Sequence, residues 1–280
     1  MTGDGRGMTR TTQAVILARG LGSRMRRAEA AVALDEAQER AAADGQKGMM
    51  PTLGRPFLDF VLSALADAGV TDVTLVVAPD HAMMRDYYER QSPPRRVRLR
   101  WAVQAEPRGT ADAVLAAAGH VQDAPFLALN SDNYYPVASY DALCEMGGAG
   151  LVAYEGEALV RAGNIDRERV MAYALLDIDD DGVLRAIVEK PAPDHPLALR
   201  AEHWVSMNLW SFTPRIFDAC RRVRPSVRGE LELQDAVMIA SRELGEAFRV
   251  VRAHDGVLDL SRRADVATIA GHLRGVVVAP

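Results

Sequence analysis

Three observations predict an α/β protein built on a Rossmann-like, doubly wound mixed sheet. Short β-branched apolar runs alternate with helical patterns through the first half of the chain, the first run opens directly into a glycine-containing loop, and the second half carries an Asp-Gly hairpin signal. The sheet is expected to be mostly parallel, with the β-hairpin inserted and helices added in the C-terminal half. Ligands are then expected at the carboxyl ends of the strands.

Gln13 to Ala18 (QAVILA) reads as a buried strand, and Arg19-Gly20-Leu21-Gly22-Ser23-Arg24 as the loop after it. Residues 26–46 are alanine-rich and highly charged, with strong helix propensity, so this insertion is either a lid or a solvated helix. A helical pattern at Pro56 to Ala68 precedes a strand at Val73 to Ala78. His81 to Arg90 precedes a strand at Val97 to Val103, whose basic approach from Pro93 to Arg100 is expected to turn its arginines to water. Thr110 to Ala118 precedes a strand at Phe126 to Leu129. In the second half, Tyr173 to Ile178 and Val183 to Val188 flank the turn Asp179-Asp180-Asp181-Gly182. A strand at Trp204 to Phe212 leads to helices near Pro214 to Arg222 and Leu231 to Leu244, a strand at Phe248 to Ala253, and a last helix from Arg263. No linker, repeat or low-complexity tract separates the halves. Residues 13–280 are therefore expected to form a single domain behind a flexible leader, residues 1–12, in which Met8 offers a second start.

The 280 residues carry 33 Lys plus Arg against 38 Asp plus Glu, and 49% hydrophobic with 25% charged residues is the balance of a soluble globular chain. A formal charge of -5 argues against a protein whose task is to grip nucleic acid or an anionic membrane. No apolar run approaches the ~20 residues of a membrane span, and the leader lacks the apolar stretch of a signal peptide. Cys144 and Cys220 stand alone without CxxC spacing, which points to a reducing cytoplasm rather than a disulfide framework or a zinc site. Of the 33 cations only Lys47 and Lys190 are lysine. A bias in coding composition covers the arginines, but a lysine is also the compact point charge that suits a phosphate in a tight pocket.

Gly20 and Gly22 allow backbone N–H groups to approach a phosphate or base closely. The loop is not a dinucleotide fingerprint, since Met25 stands where the third glycine is needed, and it lacks the Gly-Lys-Ser/Thr of a P-loop. Its specificity lies in the ordered motifs C-terminal to it: Lys47-Gly48-Met49-Met50-Pro51, Gly54-Arg55-Pro56-Phe57, the stretch from Gln104 to Ala113 containing Gly109-Thr110-Ala111-Asp112-Ala113, Asn130-Ser131-Asp132-Asn133, Val188-Glu189-Lys190-Pro191, Ser206-Met207-Asn208-Leu209-Trp210, and Gly256-Val257-Leu258-Asp259. This series resembles the sugar-1-phosphate nucleotidyltransferases, or nucleotide-sugar pyrophosphorylases, over nearly the whole chain from Gln13.

The resemblance implies a nucleotide-binding half, residues 13–135, and a sugar-phosphate-binding half, residues 136–280. It also implies a reaction: a sugar 1-phosphate attacks the α-phosphorus of a nucleoside triphosphate in line and pyrophosphate leaves, with Mg²⁺ as cofactor and no covalent enzyme intermediate. Such chemistry needs charge and alignment more than a protein nucleophile. Carried over motif by motif, Ala18, Gly20, Gly22, Ser23, Arg24 and Thr110 hold the nucleotide, while Gln104 and Gly109 face the base, Gln104 by its amide and Gly109 by leaving room for the ring. Arg24, Lys47 and Asp132 are the catalytic set, with Lys47 neutralising the α-phosphate and the leaving pyrophosphate. Asp132 and Asp259 are the implied Mg²⁺ ligands, with Asp255 the alternative to Asp259 and a turn or helix cap the alternative reading of Asp132. Asn133, Tyr173, Ala174, Glu189, Lys190 and Asn208 are implied for the sugar phosphate.

The chain departs from the family pattern in five places. Arg19 stands where glycine is usual and reaches either a phosphate or solvent. Asn130-Ser131-Asp132 replaces Gly-Asp, Ala174 and Asn208 replace glycines, and Leu260-Ser261-Arg262 comes after Asp259 where the family has a glycine and a threonine. The changes at Ala174 and Asn208 bear on the identity of the sugar more than on the reaction, and the change after Asp259 bears on its reading as a metal ligand. Among rivals, a penicillin-recognising enzyme would match Ser131-Asp132-Asn133 but needs Ser-x-x-Lys, and the residues three before the lysines are Asp44 and Ile187. No His pattern suits a zinc hydrolase. A glycosyltransferase of similar architecture would want a DxD motif, whereas Asp132 is followed by Asn133 and Tyr134. A catalytically silent sensor of the same fold would shed the Arg, Lys or Asp of the motifs, and all three are present. Self-association into a homo-oligomer is compatible with all of these readings.

Overall fold

The computed structural model describes residues 10–20, 22–26 and 34–280, the side chain of Ser23 excepted. The expected leader lies outside the described residues as far as residue 9, but its last residues are docked. The Thr11 N–H donates to the Cys144 carbonyl at 2.9 Å, and Arg10 pairs with Asp141 and Glu145.

Among the described residues nine strands make one sheet: β1 (Gln13–Leu17), β2 (Asp72–Val77), β3 (Arg98–Val103), β4 (Phe126–Asn130), β5 (Gly150–Glu155), β6 (Ala174–Ile178), β7 (Leu184–Glu189), β8 (Trp204–Phe212) and β9 (Arg249–Ala253). The order is β7-β6-β8-β4-β1-β2-β3, with β5 paired to β8 and β9 to β5. Pairs β1–β2, β1–β4, β2–β3 and β5–β9 are parallel. The hairpin β6–β7 is antiparallel, as are the pairings of β8 with β4, β5 and β6. Within β1, Ala14 and Ile16 pack into one apolar cluster and Val15 into another, so the strand is covered on both faces. That is why QAVILA is continuously apolar rather than alternating.

The helices are α1 (Ser23–Arg26), α2 (Glu36–Asp44), α3 (Phe57–Asp67), α4 (Ala82–Asp86), α5 (Thr110–Ala116), α6 (Val137–Met146), α7 (Gly156–Ala162), α8 (Arg167–Val170), α9 (Ile216–Arg222), α10 (Leu233–Glu243) and α11 (Asp265–His272). The sequence pattern missed β5 and α6 to α8. No helix among the described residues is long and apolar enough to cross a membrane.

Helix α2 decides half of the question left at residues 26–46, of which 27–33 lie outside the described residues. Its N-terminus is closed by a capping box of Asp35 and Gln38. Ala41 and Ala42 are buried, Glu39 pairs with Arg263 at 2.6 Å, and Gln38 donates to the Pro51 carbonyl at 3.1 Å. One face of the helix is docked on the body while the other is exposed to solvent, and its C-terminal Gly45, left-handed at φ 71°, comes to the edge of the main cleft.

A division along β8 positions that cleft. Strand β5 pairs along nearly all of β8, which leaves its other edge to be shared by β6, opposite Val205 and Ser206, and by β4, opposite Trp210 to Phe212. Between them β8 bulges, and Asn208 takes φ 59°. The sheet opens there, beside the carboxyl ends of β1 and β4.

Candidate active site

The floor of the cleft is built where β1 and β4 end. The Ser131 N–H donates to the Leu17 carbonyl, and the Ala18 N–H to the Val76 carbonyl, which ties the two loops to the sheet. Gly22 has φ 59°, and a Cβ there would lie 2.6 Å from the Cα of Gly45. The glycine loop therefore turns as it does because the end of α2 presses on it. Ala18, Gly20, Gly22 and Arg24 all border one cavity of about 450 Å³, and Ser23, expected with them, has its side chain outside the described residues.

Lys47 enters the same cavity from a single 3₁₀ turn, Lys47–Met49. Its Nζ donates to Asp132 Oδ2 at 2.7 Å, and each side chain is 19% exposed. Burial presses the ammonium pKa down, but the charge and hydrogen bond of Asp132, with the charge of Asp259 behind it, more than offset this and raise it above the ordinary lysine value. Asp132 comes after β4 and is held by its backbone, the Leu260 N–H donating to its carbonyl at 2.8 Å. Its Oδ1 accepts no hydrogen bond among the described residues. A cation and a carboxylate 85 residues apart in the chain thus meet at the wall of one cavity.

The loop from Gln104 to Thr110 forms the opposite wall. Gln104 is buried, and its Nε2 donates to the Gly109 carbonyl and to Asp112 Oδ2, at 3.0 and 2.8 Å. Its amide N–H groups shape the loop, leaving the amide oxygen as the group not committed there. Gly109 is strained for any side chain at φ 122°, and a Cβ would lie 2.5 Å from both the N and O of Leu231. Room for a base ring is therefore not the whole reason for this glycine. The segment before α10 presses on it, fixed by Leu231 N–H to Arg108, Ala111 N–H to Leu231, and Leu233 N–H to Thr110 Oγ1.

A smaller cavity of about 210 Å³ adjoins the first, and the two share Leu17, Thr110, Asn130 and Glu230. Glu189 and Asn208 line it. The usual glycine is replaceable at Asn208 because the position demands a left-handed backbone, which asparagine tolerates better than other side chains. Gln234 Nε2 donates to Glu189 Oε1 at 2.7 Å. Lys190 is exposed beyond the end of β7, with φ 43°, and borders neither cavity. Sequence reasoning also missed Arg228, Glu230 and Glu232 on this wall, with Arg228 paired to Glu232 at 2.7 Å. A charged stretch around Gly229 reads as an ordinary loop before a helix.

Three other expected residues meet elsewhere. A two-residue ribbon pairs Asn133 with Asp259. Asp259 Oδ2 accepts from Arg169 Nη2 at 2.5 Å, from the Tyr173 hydroxyl at 2.5 Å and from Ser261 Oγ at 2.7 Å, while Oδ1 accepts from Asn133 Nδ2 at 3.3 Å. Its backbone is held on both sides by the Asn164 amide. Burial and the neighbouring carboxylate push the Tyr173 phenol far above its ordinary pKa, so it stays a donor. Tyr173 and Asn133 therefore serve Asp259 in this structure rather than lining the smaller cavity. Ala174 is the first residue of β6 and is buried, and Asp255 is exposed on the loop after β9. No cluster of three or more metal-binding side chains occurs among the described residues.

Arg19 lies on the cavity wall, its Nη2 donating to the Ala105 carbonyl at 3.0 Å. It links the glycine loop to the Gln104 loop rather than pointing into solvent.

Comparison with known proteins matches residues 42–256 to the nucleotidyl transferase family. The UTP–glucose-1-phosphate uridylyltransferase AglF of Haloferax volcanii is 28% identical over 253 residues, covering 90% of this chain and 93% of that protein. A glucose-1-phosphate thymidylyltransferase of Streptomyces antibioticus is 29% identical over 200 residues, 68% of this chain and 50% of that protein, so the chain spans about half its length. Among solved structures, a UDP-glucose pyrophosphorylase complexed with UDP-glucose superimposes with a TM-score of 0.69 over 93% of this chain and 97% of that one, at 14% identity, a likeness of fold.

Proposed function

The chain belongs to the nucleotidyl transferase family, and from that premise we propose that it joins a nucleoside triphosphate to a sugar 1-phosphate, releasing pyrophosphate and giving a nucleotide sugar. The observation that carries the reading is the Lys47–Asp132 pair inside a cavity bordered by the glycine loop. A glycosyltransferase that consumes a nucleotide sugar has no use for that arrangement, and a silent sensor has no need to keep both charges.

The triphosphate lies along the glycine loop and Arg24, with the base toward the Gln104–Thr110 wall. The sugar phosphate approaches from the smaller cavity, where Glu189 accepts hydroxyl bonds and Arg228 offers a cation. A phosphate oxygen of the acceptor bonds to the α-phosphorus as the bond from that phosphorus to the β-phosphate oxygen breaks, and pyrophosphate carries the electron pair away. Lys47 and Asp132 neutralise each other at rest. When the nucleotide binds, Lys47 turns its charge to the α-phosphate and the leaving group, where preorganised charge in a dry site stabilises the transition state most.

Asp132 fits a hard divalent cation, since it borders the cavity and its Oδ1 is uncommitted among the described residues. Asp259 fits less well, because its oxygens already take four protein donors. Mg²⁺, when bound at Asp132, supplies charge neutralisation on the phosphates. A cytoplasmic setting agrees with the two free, buried cysteines. The test is a coupled pyrophosphate-release assay over all nucleoside triphosphates and a panel of phosphosugars, expected to give turnover with at least one pair. Nucleotide binding without turnover on any acceptor would favour the sensor.

A further inference from the structure

The Asp259 network joins two observations that the reaction does not use. Arg169, on short helix α8, is 14% exposed and lies between two carboxylates that are each 6% exposed, Asp259 at 2.5 Å and Asp265 at 3.1 Å. Ser261 stands where the family's motif has a glycine, and its hydroxyl is a further donor to the oxygen of Asp259 that Arg169 holds. One departure from the motif thus adds a donor to Asp259, and an arginine from 90 residues away supplies its positive charge.

We propose that Arg169 is the permanent counter-ion of Asp259 and stands in for a metal contact there, so that the divalent cation of the reaction is held by Asp132 and the phosphates alone. The physical reason is competition for one site. A buried guanidinium with carboxylates on two sides is held by charge and geometry together, and a divalent cation has to displace it, together with the Tyr173 and Ser261 hydroxyls, to reach the same oxygen. Asp259 then acts as a positioning residue. Through the ribbon that pairs it with Asn133, it fixes the backbone next to Asp132. The inference rests on Asp132 as the Mg²⁺ ligand of the proposed reaction.

The test is a titration of the full chain with Mn²⁺ alone, read by the electron paramagnetic resonance of free Mn²⁺. The wild type and Asp259→Asn are expected to bind Mn²⁺ with affinities within about twofold of each other, because Asp259 is not a ligand. Arg169→Met is expected to bind at least tenfold more tightly, since it leaves Asp259 without its cation beside Asp132. Adding Asp259→Asn to Arg169→Met should abolish that gain, and Arg169→Lys, which keeps the charge, should show none. A tenfold loss of Mn²⁺ affinity in Asp259→Asn, or no gain in Arg169→Met, overturns the proposal. Circular dichroism checks folding, and if Arg169→Met does not fold, the comparison of wild type with Asp259→Asn decides. A chain that binds Mn²⁺ in this pattern but turns over no substrate would count against the proposed reaction and leave the role of Arg169 standing.

Discussion

Replacing Lys47 by methionine removes one charge from the ion pair that borders the main cavity, and its two consequences can be sized separately. Breaking an exposed ion pair costs about 0.2–1 kcal/mol and breaking a fully buried one about 3–5 kcal/mol. At 2.7 Å, with each side chain 19% exposed, Lys47 and Asp132 lie nearer the buried limit. The expected loss is about 2–3 kcal/mol, or roughly 4–12 °C in Tm for a chain of this size. The activity should fall further, because in the proposed reaction the ammonium that Asp132 holds at rest is the charge offered to the phosphates. Losing one such preorganised donor lowers kcat by about 10²–10³-fold. Lys47→Arg separates the two effects. It keeps the charge and most of the stability, but its planar fork presents that charge with a geometry different from the compact ammonium, so kcat should stay at least about tenfold down. Urea denaturation and single-turnover pyrophosphate release read the two quantities. The double change with Asp132→Asn should show a coupling of about 1–2 kcal/mol. The pH dependence has a definite sign. The folded pKa of Lys47 is raised, so the stabilisation is complete at neutral pH and is lost only as pH rises past the unfolded lysine value of about 10.4 and through the folded one. Lys47→Met should lack that alkaline loss. A Lys47→Met enzyme within tenfold of wild-type kcat, or a coupling near zero, would contradict this role for the pair.

Single positions give further expected outcomes. Gly109→Ala places a Cβ 2.5 Å from the backbone of Leu231 at φ 122°, and should cost about 2–5 kcal/mol in urea denaturation, since strain and overpacking combine; a loss under about 1 kcal/mol would mean that the wall yields freely. Asn208→Gly should be close to neutral in stability and should alter KM for the sugar phosphate, whereas Asn208→Val should cost about 1–2 kcal/mol because a β-branched residue is forced left-handed; equal losses in the two would remove the backbone argument. Burial pushes the Cys144 thiol up to about 11 and the Cys220 thiol to about 12. Iodoacetamide at pH 8 should therefore label both at least about 100-fold more slowly in the native chain than in urea, and fast native labelling in mass spectra would show that either thiol is open to solvent.

What local chemistry encodes was legible from the chain. A strand buried on both faces is continuously apolar, which made β1, β2 and β4 visible. Glycine loop, Lys47 and Asp132 succeed one another in an order that placed them in one site, and the structure puts them around one cavity. Less was legible where the decisive contact comes from far along the chain. Lys190, implied as a phosphate contact by the Val-Glu-Lys-Pro motif, borders neither cavity in this structure, and no local pattern reports where the turn after β7 points. Gly109 is a glycine because Leu231 presses on it, and Asn208 is left-handed because β4 and β6 divide one edge of β8. Asp259 carried the motif of a metal ligand, but Arg169 reaches it from a helix whose own sequence gives no sign of the contact. Periodicity and residue type report which groups a segment can present. Only packing brings together groups many tens of residues apart, and packing alone decides which of them a charge will meet.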